Sequence, residues 1–302
     1  MAFTTVLTTI SDVDDSIITL FDQGVILSYT PELVADQLAN VRRSINGAAE
    51  KFTLYSNLAI PSALTEDTDP ASVALVDTPV TITPVEEGNV VTRTRLAYFQ
   101  TGGKVDVAAA QLVGRNMGVT VDYRAVAILE AFSTTRIYPN AASSAATLTT
   151  ADVLDAKFAS RLYNKLSRLN VPGLGGGSYF GIAHDDCLHD LRESLIPIKQ
   201  YQDLASIMNG EVGMAFGIRW LRSSNVTVTA DSSGTIDSYK VNVLGFNALG
   251  KAVSDEPRPV ISGPFDKLGR FVNVGWYGLL KYGVVDTSAM VQGICASSVG
   301  AN

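Results

Sequence analysis

Histidine is nearly missing from this chain. His184 and His189 are the only two in 302 residues. Acid–base and metal chemistry near neutral pH leans on imidazole, so there is little material for a histidine-based active site. Cysteine is as scarce. Cys187 and Cys295 are too few, in too long a chain, for a disulfide framework. Both are read as reduced thiols of a cytosolic assembly setting. Charged residues make up 18% against 46% hydrophobic, a balance that supports a sizeable core and excludes global disorder. Positive charge is in deficit. The net charge of -7 argues against a dedicated nucleic-acid binder, which needs Lys and Arg for phosphate. Long apolar runs are missing too: the best stretch, Val212 to Leu221, is broken by Arg219 and falls short of a membrane span. Met1-Ala2-Phe3-Thr4-Thr5 has neither the basic start nor the apolar core of a signal peptide. The sequon Asn225-Val226-Thr227 is therefore read as chance.

What is present reads as a mixed α+β chain without a fixed repeat. Residues 1–29 look like an arm. A helix is expected next, with Thr30 as N-cap, Pro31 at its first position and Val34, Leu38, Val41 and Ile45 at helical spacing. From Lys51 to about Pro79 the pattern loosens into an acidic, turn-rich extended loop. Val80–Val85 and Val90–Leu96 then read as strands, joined by a hairpin turn at Glu86-Glu87-Gly88-Asn89. The longest helix signal follows, from a cap at Asp106 to about Phe132. Its stripe is Ala110, Val113, Met117, Val121, Ala125, Ile128 and Phe132, flanked by Arg115, Asp122, Arg124 and Glu130. After a linker at 139–147, a helix capped by Thr149 or Thr150 carries Leu154, Phe158, Leu162, Leu166 and Leu169. Tyr179–Ala183 reads as a buried strand and Asp185–Ser194 as a short helix. Further strands are expected at Met214–Leu221, Val226–Ala230, Ser238–Leu244, Arg258–Ser262 and Phe271–Val285, with a turn at Asp231-Ser232-Ser233-Gly234.

Few stretches offer chemistry. His184-Asp185-Asp186-Cys187-Leu188-His189-Asp190 is dense in metal-capable side chains. Its histidines are five apart, which does not stack them on one helical face, and acids opening a helix explain the run better. No metal is expected. The glycines from Gly173 to Gly177 lack the Lys-Ser/Thr ending of a phosphate loop, as does Gly102-Gly103-Lys104, so both are connectors and no cofactor is expected. Lys157, Arg161, Lys165 and Arg168 line one helix face. That face could touch nucleic acid, but acids at the helix start and bases at its end also suit the dipole. No G-x-S-x-G elbow occurs.

Three local motifs carry a resemblance. Tyr179-Phe180-Gly181-Ile182-Ala183-His184 with Asp190-Leu191-Arg192, then Gly210-Glu211-Val212-Gly213-Met214-Ala215-Phe216-Gly217-Ile218-Arg219, then Asp266-Lys267-Leu268-Gly269-Arg270 with Val274-Gly275-Trp276, resemble one branch of tailed-bacteriophage major capsid proteins. In the last motif Lys267, Arg270 and Tyr277 replace the branch's Pro, Gln and Lys. The order of elements is similar to the Hong Kong 97-type capsid fold. The resemblance implies an N-terminal arm and helix (1–50), an extended loop (51–79), and a peripheral domain with hairpin and spine helix (80–148). An axial domain (149–255) and strands returning to the peripheral domain (256–302) complete it.

The function so implied is a non-enzymatic shell subunit. It would self-assemble into hexamers and pentamers of an icosahedral head, enclosing double-stranded DNA without sequence-specific binding. Its partners would be itself and, in addition, scaffold, cement and portal proteins, with no membrane. Assembly would take place in the host cytoplasm and the product would be the virion. Poorly packed arms and loops gain stability by burial against neighbours. Candidate inter-subunit contacts are the acidic tip Glu66, Asp67 and Asp69, and the basic sites Arg93, Arg95, Lys157 and Arg161. Two alternatives stand beside this: an encapsulin-like nanocompartment shell holding protein cargo, and an α+β enzyme of unknown substrate.

Overall fold

The structure, a computed structural model, describes residues 33–299 other than 46, 57, 62, 65, 68, 70, 133, 175–176, 196–210, 231–235 and 265. The expected arm at 1–29, the cap at Thr30, the turn at 231–234 and Gly210 lie outside the described residues. Three sheets and a few helices make a mixed α+β fold.

A four-stranded sheet runs in the order β1 (Asn40–Arg43), β11 (Leu249–Ser262), β12 (Phe271–Val284), β4 (Val85–Thr94). Across it lies α2 (Lys104–Ala131), one unbroken helix of 28 residues, or roughly 42 Å at 1.5 Å per residue. It begins after Gly103 rather than at a cap on Asp106. Gly102 and Gly103 both take positive φ, 60° and 80°, and connect α1 (Arg95–Gln100) to α2 by a tight turn. Val113, Val121, Ala125 and Leu129 are buried along α2, while Met117 and Ile128 are half-buried and Ala110 is exposed.

The second sheet has seven strands. β13 (Met290–Cys295), β10 (Asp237–Leu244), β6 (Tyr179–Ala183) and β8 (Ile218–Arg222) form its centre; β5 (Arg136–Ile137) and β7 (Glu211–Ala215) are its edges, and β9 (Val228–Ala230) pairs with β10. Every residue of β6 and β13 is buried. Two helices pack here, α3 (Ala156–Arg168) and α4 (Asp185–Leu195). Phe158 and Leu162 of α3 lie so close to Gly293 that a Cβ there would sit 3.0 Å from the Phe158 ring. The third sheet is the hairpin of β2 (Glu50–Tyr55) and β3 (Asp77–Ile82), joined by the loop 56–76.

Several sequence expectations need correction. Val34, Leu38, Val41 and Ile45 do not form a helix. A 3-10 turn at Asp36–Leu38 buries Val34 and Leu38, and then β1 pairs in parallel with β11, leaving Val41 and Ile45 exposed. Pairing with a strand two hundred residues away overrides the local period. Glu86-Glu87-Gly88-Asn89 is not a turn but the middle of β4, in register with Leu279 to Trp276 of β12. A Cβ on Gly88 would sit 2.6 Å from the Trp276 carbonyl, so the glycine permits close strand approach. Met214–Leu221 is a hairpin, not one strand: Phe216 and Gly217 turn with φ of 54° and 75°. α3 is capped by Asp155, which accepts the Phe158 amide at 2.7 Å, and not by Thr149 or Thr150. The expected strands Arg258–Ser262 and Phe271–Val285 fall in β11 and β12 of the first sheet, whereas β13, where no strand was expected, enters the seven-stranded one.

Candidate assembly surfaces

The β2–β3 hairpin is anchored by a small core of its own. Phe52 and Ile82 pack with Ala252 and Val285 at the end of the four-stranded sheet where β11 begins and β12 finishes. Gly250 and Gly283 make the room: a Cβ on Gly283 would lie 2.8 Å from Ile82 Cδ1. Beyond this anchor nothing apolar covers the hairpin among the described residues. Tyr55, Leu58, Ile60, Leu64, Val73, Leu75 and Val76 are all exposed, Ile60 by 96%. Glu66, Asp67 and Asp69 lie in the same loop, exposed, and make no ion pair among the described residues. Sequence reasoning found the acids and missed the apolar side chains on either side of them, because without a period they carry no secondary-structure signal.

Arg93 and Arg95 lie together where β4 passes into α1. Thr94 caps α1 by accepting the Ala97 amide at 3.1 Å. The Arg93 guanidinium sits 4.5 Å from the Tyr98 ring centroid and that of Arg95 5.5 Å from Phe99. Leu96 and Phe99 are left exposed beside them, Phe99 by 64%. This is a compact basic and aromatic patch. Nearby, the β11–β12 connection is tied by Asp266, which accepts the Leu268 and Arg270 amides and the Arg270 guanidinium at 2.7 Å. The aspartate of that motif is thus a turn-former.

Lys157 and Arg161 sit elsewhere, on the exposed face of α3 beside the seven-stranded sheet. The fold therefore groups Arg93 with Arg95, groups Lys157 with Arg161, and keeps the two pairs on separate elements.

The interior holds buried polar groups whose partners the sequence did not show. Asp122 of α2 is fully buried and accepts four hydrogen bonds: from the amides of Val34 (2.9 Å) and Ala35 (2.8 Å), from Ser223 Oγ and from Asn225 Nδ2. Two turns on, Glu130 accepts the Thr227 amide at 2.6 Å. Lys251 Nζ and the Tyr282 hydroxyl converge on Asp36 Oδ1, at 2.7 and 2.5 Å. Burial first, then the Asp36 charge, push the Tyr282 hydroxyl far above its ordinary range, so it remains a donor. Cys187 and Cys295 are buried with sulfurs 3.6 Å apart; their mutual hydrogen bond and burial push the Cys187 thiol up. In the candidate metal run, His184 Nδ1 accepts the Asp186 amide at 3.3 Å, and Asp190 accepts from Ser298. No three metal-capable side chains converge among the described residues. A groove of about 570 Å³ lies between β4, β12 and α2, and part of its polar lining is engaged: Asn116 accepts Trp276 Nε1 at 2.9 Å and Arg124 pairs with Glu87 at 2.8 Å. No helix among the described residues is long and apolar enough to cross a membrane.

Neither a family model nor a curated sequence matches the chain. Solved structures do. The capsid of Ralstonia phage GP4 is similar with a TM-score of 0.72 at 13% identity, over 85% of this chain and 87% of that one. The fold is that of phage capsid proteins. The capsid of Cyanophage P-SCSP1u is similar with a TM-score of 0.68 at 15% identity, over 95% of each chain. The holo-SrpI encapsulin complex of Synechococcus elongatus PCC 7942 has the same architecture, with a TM-score of 0.62 at 10% identity over 93% of this chain and 94% of that one. At such identities the likeness establishes architecture, and function must come from the surfaces.

Proposed function

We propose that this chain is the major capsid protein of a tailed bacteriophage, a non-enzymatic subunit that assembles into hexamers and pentamers of an icosahedral head around double-stranded DNA. One observation carries the reading. The subunit has two complementary uncovered surfaces at opposite ends of its long sheet. The apolar, acid-tipped hairpin is rooted beside Gly283, and the basic–aromatic α1 patch lies beside Phe271. Those two positions on β12 are roughly 40 Å apart at about 3.3 Å per residue. Both surfaces stay exposed in the same subunit, so neither covers the other. Unlike surfaces at opposite ends make a head-to-tail contact, which closes into rings when the rotation permits.

On this reading the four-stranded sheet with α2 is the peripheral domain and the seven-stranded sheet the axial one. The loop 56–76 reaches the neighbouring subunit, where Glu66, Asp67 and Asp69 meet Arg93 and Arg95. Scaffold, cement and portal proteins would be further partners, assembly would occur in the host cytoplasm, and the product would be the virion. Electron microscopy of the purified protein across concentration and salt tests it: closed icosahedral shells are expected, and a strictly monomeric protein would refute it. The similarity to an encapsulin favours a second reading, a nanocompartment shell. Particle contents separate the two, DNA for the first and a protein cargo for the second.

A further inference from the structure

The α3 helix carries a stripe of positive charge that the fold leaves unused. Lys157, Arg161, Lys165 and Arg168 fall within an arc of about 80° at 100° per residue, with Asn164 at its edge. The opposite face buries Phe158, Ala159, Leu162 and Leu166 against the sheet. No acid lies within the helix, and the N-cap carboxylate of Asp155 is engaged by the Phe158 amide. Among the described residues none of the four cations makes an ion pair. The helix dipole accounts for Lys165 and Arg168 in the last turn. It does not account for Lys157, which lies in the first turn, at the positive end, where a cation is disfavoured. In a chain of net charge -7, four uncompensated cations on one face of a 13-residue helix are a local reversal of sign.

We propose that this stripe binds the phosphate backbone of double-stranded DNA, without base readout, and that the α3 face accordingly points into the lumen of the shell. The inference rests on the shell reading above. From Lys157 to Arg168 the helix rises about 16 Å, near the length of five base pairs at 3.4 Å each. Flexible Lys and Arg side chains on such a rod can reach successive phosphates. Any one subunit would bind weakly, and a shell lined with copies would bind by repetition. Overall acidity then keeps the rest of the surface off the nucleic acid.

The test measures binding of unassembled full-length subunits to a 30-base-pair duplex by fluorescence anisotropy, across a series of salt concentrations. For the variant Lys157→Gln/Arg161→Gln/Lys165→Gln/Arg168→Gln, the slope of log K against log salt should shrink by about 3.6, from roughly 0.9 per phosphate contact. The pair Lys157→Gln/Arg161→Gln should remove about half of that, and it decides the matter should the fourfold variant fail to fold. Absent binding by the parent at the lowest salt, or an unchanged slope in a folded variant, overturns the proposal. An unchanged slope together with lost shell assembly also overturns it, and assigns the stripe to a contact between copies. The shell reading fails separately, if the parent never forms closed particles, and the slope still decides the DNA contact in that case.

Discussion

The carboxylate of Asp122, midway along α2, accepts the side-chain amide of Asn225 at 2.7 Å while holding the backbone amides of Val34 and Ala35. One buried group thus joins three segments: Val34–Ala35 ahead of β1, the long helix α2 and the loop after β8. Asp122→Ala would strand two backbone donors and a side-chain amide in the interior. Each unsatisfied buried group costs about 1 to 3 kcal/mol, so the variant should lose at least about 3 kcal/mol, whereas Asn225→Ala should lose about 1 to 2. Denaturant unfolding of both variants checks the ranking, and equal losses would deny Asp122 its central role.

Burial along α2 sets a second expectation. Leu129 is fully buried and Met117 only half-buried. Leu129→Asp places an unpaired charge in the core at a cost of several kcal/mol and should abolish soluble expression. Met117→Asp should lower the melting temperature and still yield folded protein. Leu129→Ala, at about 2 to 5 kcal/mol, gives an intermediate point. A soluble, thermally unchanged Leu129→Asp would contradict the packing described.

The hairpin offers two kinds of contact, and their magnitudes differ. Rim ion pairs at Glu66, Asp67 and Asp69 are worth roughly 0 to 1 kcal/mol each, while burying a Leu or Ile side chain contributes about 1.5 to 3. Ile60→Ser/Leu64→Ser should therefore reduce shell yield more than neutralising all three acids, and should do so at every salt concentration. The acid-neutralised variant should be impaired mainly at low salt, where screening is least. Circular dichroism serves as the folding control, since none of these side chains is in the core. Shell yields that match the parent in both variants would remove the loop from assembly.

Asp152 gives a pH prediction. Burial alone would raise its pKa, but hydrogen bonds from the Thr149 hydroxyl, Asn140 and the Thr149 amide outweigh this and hold it below 3.8. A carboxylate depressed in the folded state stabilises that state above its unfolded pKa. The contribution is lost as pH falls through the folded value. Asp152→Asn should cost about 1 to 3 kcal/mol at pH 7, and its gap from the parent should narrow below about pH 4. Thermal melts from pH 7 to pH 3 test this; a gap that widens in acid would reverse the assignment.

The local code was sufficient where neighbours in sequence decide the structure. The long helix signal was legible as α2, although its apolar residues are not confined to one face, and the acids opening α4 sit where the dipole favours them. Tyr179–Ala183 is uniformly apolar and could only be a covered strand. The glycine motifs were visible too, but their reasons were not. Gly217 turns a hairpin with its Cα so near Tyr163 that a Cβ would sit 2.5 Å from the ring.

What only tertiary structure decided lies where partners are distant. Glu86 to Asn89 looked like a turn until β12 supplied ten residues of antiparallel register. Val41 and Ile45 kept a helical spacing that parallel pairing with β11 overruled. β13 was unread because its meaning is its position between β5 and β10, not its composition. Above all, sequence could pair Lys157 with Arg161 and Arg93 with Arg95, but not say that the second pair stands beside Tyr98 and Phe99. Periodicity reports which side of an element is apolar, whereas the grouping of exposed charges and the lack of cover over Ile60 and Phe99 depend on where whole elements pack. Packing is settled by burial summed over the entire chain.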